Sequence, residues 1–166
     1  MARSQFRHCG QSHLDWLTGL ECPCFPQDPR EDPPLPDAPL SGFRLLVVED
    51  DSDTLEALRS VFELKGAAVT TASSALEGFQ SFLRLRPDVI VCDLGLPGAD
   101  GYALIRQIRE LPPVMGGSTA AVAVTAYSAE MTPKVLHAGF QAHLQKPVDP
   151  DALIKAVAAL AFKARQ

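Results

Sequence analysis

The sequence lacks the features that mark membrane, exported and nucleic-acid-binding proteins. No apolar run approaches the roughly 20 residues that a membrane-spanning helix needs. Arg3 and Arg7 lie near the N-terminus, but no apolar stretch follows them, so no secretory signal is predicted. Positive charge is not in excess, because 15 Lys and Arg stand against 20 Asp and Glu. A net charge of −5 argues against non-specific binding to nucleic acid or anionic membranes, and we expect a cytoplasmic protein.

Cysteine is scarce, and repeats are absent. Four cysteines in a chain without an export signal favour reduced thiols over a disulfide framework. No internal repeat or heptad pattern is present, which excludes solenoids and coiled coils. The 166 residues are 46% hydrophobic, which is enough for one core of ordinary size. We therefore expect a single globular domain.

Residues 1–42 differ in composition from the rest and are predicted to form a disordered N-terminal extension. They hold half of the chain's 14 prolines, and proline alternates with acidic residues over 28–39, which is typical of an extended linker. A short segment at 12–20 has apolar residues at helical spacing, so a docking segment that folds on a partner is the alternative. Zinc is not favoured, because Cys22 and Cys24 are separated by one residue where structural zinc sites use two to four.

Apolar runs and helix signals alternate from residue 43 onward. Two runs of β-branched and other apolar residues, 43–48 and 89–92, are typical of strands buried on both faces. The predicted strands are 43–48, 67–71, 89–92, 120–125 and 140–144. The first two predicted helices are capped by Ser52 or Asp53 and by Ser73 or Ser74, and the other three start at Tyr102, Thr132-Pro133 and Asp149-Pro150. The first helix is predicted to bury Leu55, Leu58, Val61, Phe62 and Leu64, and the second Leu76, Phe79, Phe82, Leu83 and Leu85. Five strands alternating with five helices indicate an α/β fold with a parallel sheet and helices on both faces.

Polar residues follow several of these strands at the end where open α/β sheets place their ligands. They are Glu49 and Asp50 after the first strand, Asp93 after the third, Thr125 at the end of the fourth and Lys146 after the fifth. Each has an ordinary alternative: a strand-end Asp93 that caps the next turn, an N-cap at Asp50 or Asp51, a solvated lysine, or a β-branched strand residue. Their shared placement at one sheet edge favours a site.

The chemistry of such a site follows from its charges. Three carboxylates close together repel one another, and a divalent cation relieves the repulsion. Oxygen ligands without imidazole predict a hard cation such as Mg²⁺. The Lys146 charge and the Thr125 hydroxyl would stabilise a phosphoryl group, which one carboxylate could accept as nucleophile.

These motifs resemble the receiver domain of two-component response regulators over residues 43–163. The motifs are VVEDD at 47–51, CDLGLPGADG at 92–101, VTA at 124–126 and QKP at 145–147. The resemblance implies a flavodoxin-like sheet of order 2-1-3-4-5. It also implies that Asp93 is the phosphoacceptor and that Mg²⁺ is held by Asp50, Asp93, the backbone carbonyl of Gly95 and, through water, Glu49.

The same resemblance makes Thr125 the switch hydroxyl and Lys146 the phosphate-pairing lysine, with two departures from the family pattern. The aromatic switch residue that usually lies three places before the lysine is replaced by His143, whose imidazole could swing like a smaller ring or simply be packed. Thr132-Pro133 should shorten the fourth helix, so the usual start of that helix is predicted to be a loop.

The implied function is that of a phosphoprotein switch in a two-component phosphorelay. A histidine kinase or histidine phosphotransfer protein would donate to Asp93, and the change would reach a downstream protein through helix 4, strand 5 and helix 5. Because no output domain follows the last helix, another protein is expected to carry the output. A non-phosphorylated interaction module is the alternative. A haloacid-dehalogenase-like hydrolase is not favoured, because the position of its second aspartate holds Gly95; we do not expect a metabolic enzyme.

Overall fold

A computed structural model describes residues 38–97, 100–126 and 132–164. The predicted extension lies outside the described residues up to residue 37. The predicted loop before the fourth helix also lies outside them, at 127–131. Within the described part, no helix is both long enough and apolar enough to span a membrane.

The sheet is parallel and has the predicted flavodoxin-like order. Its strands are β1 (Arg44–Val48), β2 (Ala68–Ala72), β3 (Val89–Asp93), β4 (Ala120–Thr125) and β5 (Ala142–Gln145). Within the described residues the order β2-β1-β3-β4-β5 confirms the prediction. The apolar runs explain the arrangement, because β3 and β4 are buried along their whole length while the edge strand β2 is partly exposed. Observed and predicted strand boundaries differ by two residues at most.

Five α-helices cover both faces of the sheet in the described part of the chain. They are α1 (Ser52–Leu64), α2 (Ala75–Leu85), α3 (Gly101–Arg109), α4 (Thr132–Ala138) and α5 (Pro150–Ala164). A short 3-10 helix, Pro113–Met115, lies in the predicted loop before β4. One core cluster joins the sheet to α2, α3 and α4 through residues such as Phe82, Ile105 and Val135. The other joins it to α1 and α5 through residues such as Phe62 and Val157. The helices thus form two layers around the buried sheet.

The N-termini of α1 and α2 are fixed by side-chain caps, one of which differs from the prediction. Ser74 caps α2 as predicted, and its hydroxyl accepts a hydrogen bond from the Glu77 N–H. The prediction that Ser52 or Asp53 caps α1 is wrong, because Asp51 is the N-cap and accepts from the Thr54 N–H at 2.8 Å, which confirms the alternative given for Asp51. Asp51 lies in the extended backbone region that an N-cap requires, whereas Ser52 is already helical.

Three leucines predicted to face the core are exposed. Leu64, Leu76 and Leu83 are 80%, 69% and 38% exposed. On α2 the buried positions are instead Ala75, Gly78, Ser81 and Phe82. A Cβ at Gly78 would lie 3.1 Å from the Val48 side chain and 3.2 Å from the Leu104 side chain. The small residue lets α2 approach β1 and α3 closely, which turns Leu76 and Leu83 toward solvent.

The core begins before the first strand. Residues 38–42 form a turn in which Leu40 is fully buried and its N–H donates to the Lys65 carbonyl at 3.0 Å. Leu40 packs in the same cluster as Phe43 and Phe62. The predicted domain start at residue 43 is therefore preceded by a turn that is packed on the domain.

Candidate functional site

The topology brings the acidic residues after β1 and β3 next to each other. β1 and β3 are paired in parallel with Val48 opposite Cys92, so Glu49 and Asp93 follow on adjacent strands. On the other side of β3, Asp93 is opposite Val124 of β4. Both carboxylates are nearly inaccessible, with Glu49 1% and Asp93 8% exposed. Two buried carboxylates that follow adjacent strands need a compensating positive charge.

Lys146 supplies that charge from the loop after β5. Its ammonium donates to Asp93 Oδ2 at 2.7 Å and to Glu49 Oε2 and Oε1 at 2.9 and 3.1 Å. The Lys146 backbone N–H donates to the Thr125 carbonyl at 2.8 Å, which holds the residue beside β4, and a cis peptide bond joins it to Pro147. One ammonium therefore bridges two carboxylates that are 44 residues apart in the chain. The alternative of a solvated lysine is wrong, because the Lys146 side chain is only 29% exposed.

The environment shifts the pKa values of the three groups. Burial raises the pKa of the Glu49 carboxyl, and the hydrogen bonds from Lys146 offset this only in part. Burial also works against ionisation of Asp93, but hydrogen bonds from the Gly95 N–H and from Lys146 outweigh it, so the pKa of Asp93 is lowered. The pKa of Lys146 is raised, because its bonds to Asp93 and Glu49 outweigh the cost of burying the ammonium. Of these two buried carboxylates, Asp93 is thus the one that ionises more readily.

Asp93 also caps the turn that follows it. Its Oδ1 accepts a hydrogen bond from the Gly95 N–H at 2.9 Å, while Oδ2 faces Lys146. Asp93 therefore caps the turn, as the ordinary alternative predicted, and also contacts Lys146 at the site. A Cβ at position 95 would lie 3.6 Å from Asp93 Oδ1, which is an ordinary contact. There is therefore room for a side chain at this position.

The two remaining acids of the tripeptide after β1 have separate positions. Asp51 is committed to the cap of α1. Asp50 is exposed, and one carboxylate oxygen each of Glu49, Asp50 and Asp93 lie within 4.8 Å of one another. The donor set consists of carboxylate oxygens, which suits a hard divalent cation such as Mg²⁺. These residues form a possible metal site at which Lys146 is a competing cation.

The other predicted site residues lie at the same edge of the sheet but differ in burial. Thr125 is fully buried as the last residue of β4. His143 lies on β5 and is half-buried, with Nε2 3.5 Å from the Thr132 hydroxyl at the start of α4. His143 is therefore a packed residue that contacts α4, an arrangement compatible with either sequence alternative.

Two residues of the 92–101 motif shape the site, although neither was predicted to be a site residue. A Cβ at Gly101 would overlap the Asp93 carbonyl oxygen, so glycine is needed where α3 begins against the end of β3. The buried Cys92 thiol donates to the same carbonyl oxygen at 3.1 Å, and burial raises its pKa. The signal available for Gly101 is its place directly after Asp100, the N-cap of α3.

A mostly apolar groove of about 280 Å³ opens beside Lys146. It runs between α1 and the segment that joins β5 to α5. Its lining includes Ala57, Leu58, Val61, Pro147, Val148 and Pro150. The groove therefore presents apolar surface next to the carboxylates.

Comparisons with known proteins agree on the class of domain. The model of the response regulator receiver domain matches residues 45–158. An uncharacterized 14.6 kDa protein from the sodA1 3′ region of Leptolyngbya boryana is 42% identical over 119 residues, 71% of this chain and 89% of that protein. The transcriptional regulatory protein CseB of Streptomyces coelicolor is 36% identical over 118 residues, 70% of this chain, which spans about half (48%) of CseB. The receiver domain of sensor histidine kinase PA1611 from Pseudomonas aeruginosa, solved with a magnesium ion coordinated in its active-site cleft, has a TM-score of 0.67 at 27% identity. That likeness covers 74% of this chain and 99% of the solved one.

Proposed function

The chain belongs to the response regulator receiver family of two-component signalling, and we propose that Asp93 accepts a phosphoryl group from a histidine kinase or a histidine phosphotransfer protein. The family is a signalling module rather than a typical enzyme. The observation that supports the proposal best is the bridge from Lys146 to Asp93 and Glu49 at 2.7 and 2.9 Å. We propose that the reaction takes place in the cytoplasm.

The proposed reaction is a direct transfer between side chains. A carboxylate oxygen of Asp93 bonds to phosphorus while the P–N bond to the donor's phosphohistidine breaks, and the electron pair stays on the imidazole nitrogen. The product is an acyl phosphate on Asp93. The Lys146 ammonium, already 2.7 Å from Oδ2, is placed to donate to a phosphoryl oxygen.

The metal part of the proposal assigns Mg²⁺ to the acidic cluster. Asp50 and Asp93 would be direct ligands together with the Gly95 carbonyl, and Glu49 would act through water. When bound, the ion would offset negative charge on the carboxylates and the transferred group. The magnesium ion described for the PA1611 receiver domain supports this assignment by similarity.

The switching part of the proposal follows the chain from Thr125 to the surface. A hydroxyl donor at Thr125 and the half-buried His143 would respond to the new charge on Asp93. Because His143 contacts Thr132 of α4, a shift of His143 would move the start of α4. We propose that α4, β5 and α5 carry this change to a downstream protein, and that the apolar groove beside Lys146 receives the phosphoryl donor.

The test is phosphorylation by a small-molecule donor. The folded protein is incubated with acetyl phosphate and Mg²⁺, and intact-protein mass reports the added phosphoryl group. We expect modification of the natural chain and of Asp151→Asn, an exposed control on α5, but not of Asp93→Asn. Beryllofluoride with Mg²⁺ should shift amide resonances around Asp93 and Thr125. A folded chain that gains no phosphoryl group and shows no beryllofluoride response would favour the non-phosphorylated interaction module.

A further inference from the structure

A second cleft, distinct from the acidic site, lies between α3 and α4. It encloses about 570 Å³. Its lining includes Tyr102, Arg106, Pro133, Lys134, His137 and Ala138. Of the basic residues, Arg106 lies on α3, and Lys134 and His137 lie on α4.

The charge of this cleft is opposite to that of the chain. Arg106, Lys134 and His137 are exposed around it, whereas Asp100 is the one acidic residue among its described lining. The chain as a whole carries −5. A local positive cleft on an acidic protein attracts a short acidic segment and disfavours a long polyanion, which the rest of the surface repels.

The interior of the cleft is apolar enough to hold a side chain. Tyr102 is half-buried, and its ring packs edge-on against Phe140 with the centroids 6.5 Å apart. Pro133 and Ala138 add apolar surface from α4. Apolar surface with a basic rim matches an acidic peptide that also presents an apolar residue.

We propose that the cleft between α3 and α4 docks an acidic peptide segment of a partner protein. This inference deepens the proposed function, on which it rests for its link to phosphorylation, by adding the α3 side of α4 to the proposed output surface and naming the chemistry of the partner that docks there. Nucleic acid is the competing ligand, and the net charge of the chain disfavours it.

The two ends of α4 are held differently, which connects the cleft to the switch. At its C-terminal end, the Arg109 guanidinium donates to the Gly139 carbonyl at 3.1 Å from Nε and 2.7 Å from Nη2. A third bond, to the Gly117 carbonyl at 2.8 Å, ties the same side chain to the segment before β4. At the N-terminal end, the Thr132 hydroxyl lies 3.5 Å from His143 Nε2. Movement of His143 would therefore displace the start of α4 against a fixed end and change the width of the cleft.

The experiment measures binding of a short fluorescein-labelled peptide in which pairs of glutamates flank leucines, by fluorescence anisotropy. A peptide with glutamine in place of glutamate is the ligand control. Arg106→Glu/Lys134→Glu reverses the cleft charge. Arg84→Glu/Lys155→Glu reverses exposed charges on α2 and α5 and changes the net charge equally. Thermal unfolding and acetyl phosphate labelling check that both variants fold and retain Asp93 chemistry.

We expect the natural chain to bind the glutamate peptide, the cleft variant to lose about tenfold or more in affinity, and the control variant to stay within about twofold. Equal losses in both variants would overturn the inference. So would no binding to the natural chain, or tighter binding of a DNA duplex that the cleft variant loses. The two proposals fail separately: peptide binding without phosphorylation of Asp93 would remove the phosphoacceptor role alone, and phosphorylation without peptide binding would remove the cleft alone.

Discussion

Replacing Lys146 with methionine tests whether its ammonium is what allows two carboxylates to be buried together. The substitution keeps an apolar side chain of similar length and leaves Glu49 and Asp93, whose side chains are 2% and 9% exposed, without their bridging cation. At an effective dielectric constant of about 20, each ion pair corresponds to about 6 kcal/mol of Coulomb energy before desolvation is subtracted. Removing one partner of a buried pair costs about 3–5 kcal/mol. We expect about 3 kcal/mol, because the 29% exposure of Lys146 lets water enter.

The assay is urea unfolding followed by far-UV circular dichroism at neutral pH without divalent metal. With a slope of about 1.5 kcal/mol/M, the midpoint should fall by about 2 M. The exposed control Lys155→Met should change the free energy of unfolding by less than about 0.5 kcal/mol. Glu49→Gln/Lys146→Met should recover part of the loss, since it removes one of the two uncompensated charges.

Addition of Mg²⁺ provides a second measurement. Because the ammonium no longer competes at the acidic cluster, Mg²⁺ should stabilise Lys146→Met more than it stabilises the natural chain. Equal midpoints for Lys146→Met and Lys155→Met would refute the reasoning, because the buried carboxylates would then not depend on the lysine.

Three further predictions concern the rest of the fold. Hydrogen bonds from Ser73 lower the pKa of Glu77, so its carboxylate stabilises the fold above its ordinary pKa and loses this effect as the pH falls through the lowered value. The melting temperature of Glu77→Gln should therefore lie below that of the natural chain at neutral pH and approach it in strong acid. A difference in melting temperature that stays constant with pH would contradict this. Gly78→Val should cost about 1–3 kcal/mol in urea unfolding by overpacking, whereas the exposed Gln80→Val should be nearly neutral; equal effects would show that α2 can move away from the sheet. Arg109→Met should lower the free energy of unfolding by about 2–3 kcal/mol, because the Gly139 and Gly117 carbonyls lose their hydrogen-bond donor, and Arg109→Lys should lower it less. An unchanged urea midpoint in both variants would show that the turn at Gly139 is stable without the guanidinium.

The sheet could be predicted because its signal is local and redundant. The apolar run of β4 has the same bounds in sequence and structure, 120–125, and α4 begins at Thr132, within the predicted Thr132-Pro133 start signal. The edge at which Glu49 and Asp93 meet follows from parallel pairing once the strands are known. The functional roles of the clustered residues stay predictions, since geometry places charges together without showing a reaction.

What could not be predicted depends on contacts that leave no residue pattern. Periodicity identified α2 as a helix, but the largest apolar residues were taken as its inner face, whereas Gly78 sets the closest approach. The partners of Arg109 are mostly backbone carbonyls up to 30 residues away, and any residue type can supply a carbonyl. Asp51 was one of several cap-forming residues in a row, and only the backbone conformation distinguishes them.

The acidic tripeptide after β1 illustrates how selection could act on neighbouring positions independently. Glu49 must be tolerated in a buried site, the exposed Asp50 has one oxygen within the carboxylate cluster, and Asp51 only has to accept one backbone hydrogen bond. Among homologues, serine, threonine or asparagine should therefore be acceptable substitutes at position 51 but not at position 50. An evolutionary comparison that scores the three acids as one block would average over three unrelated constraints.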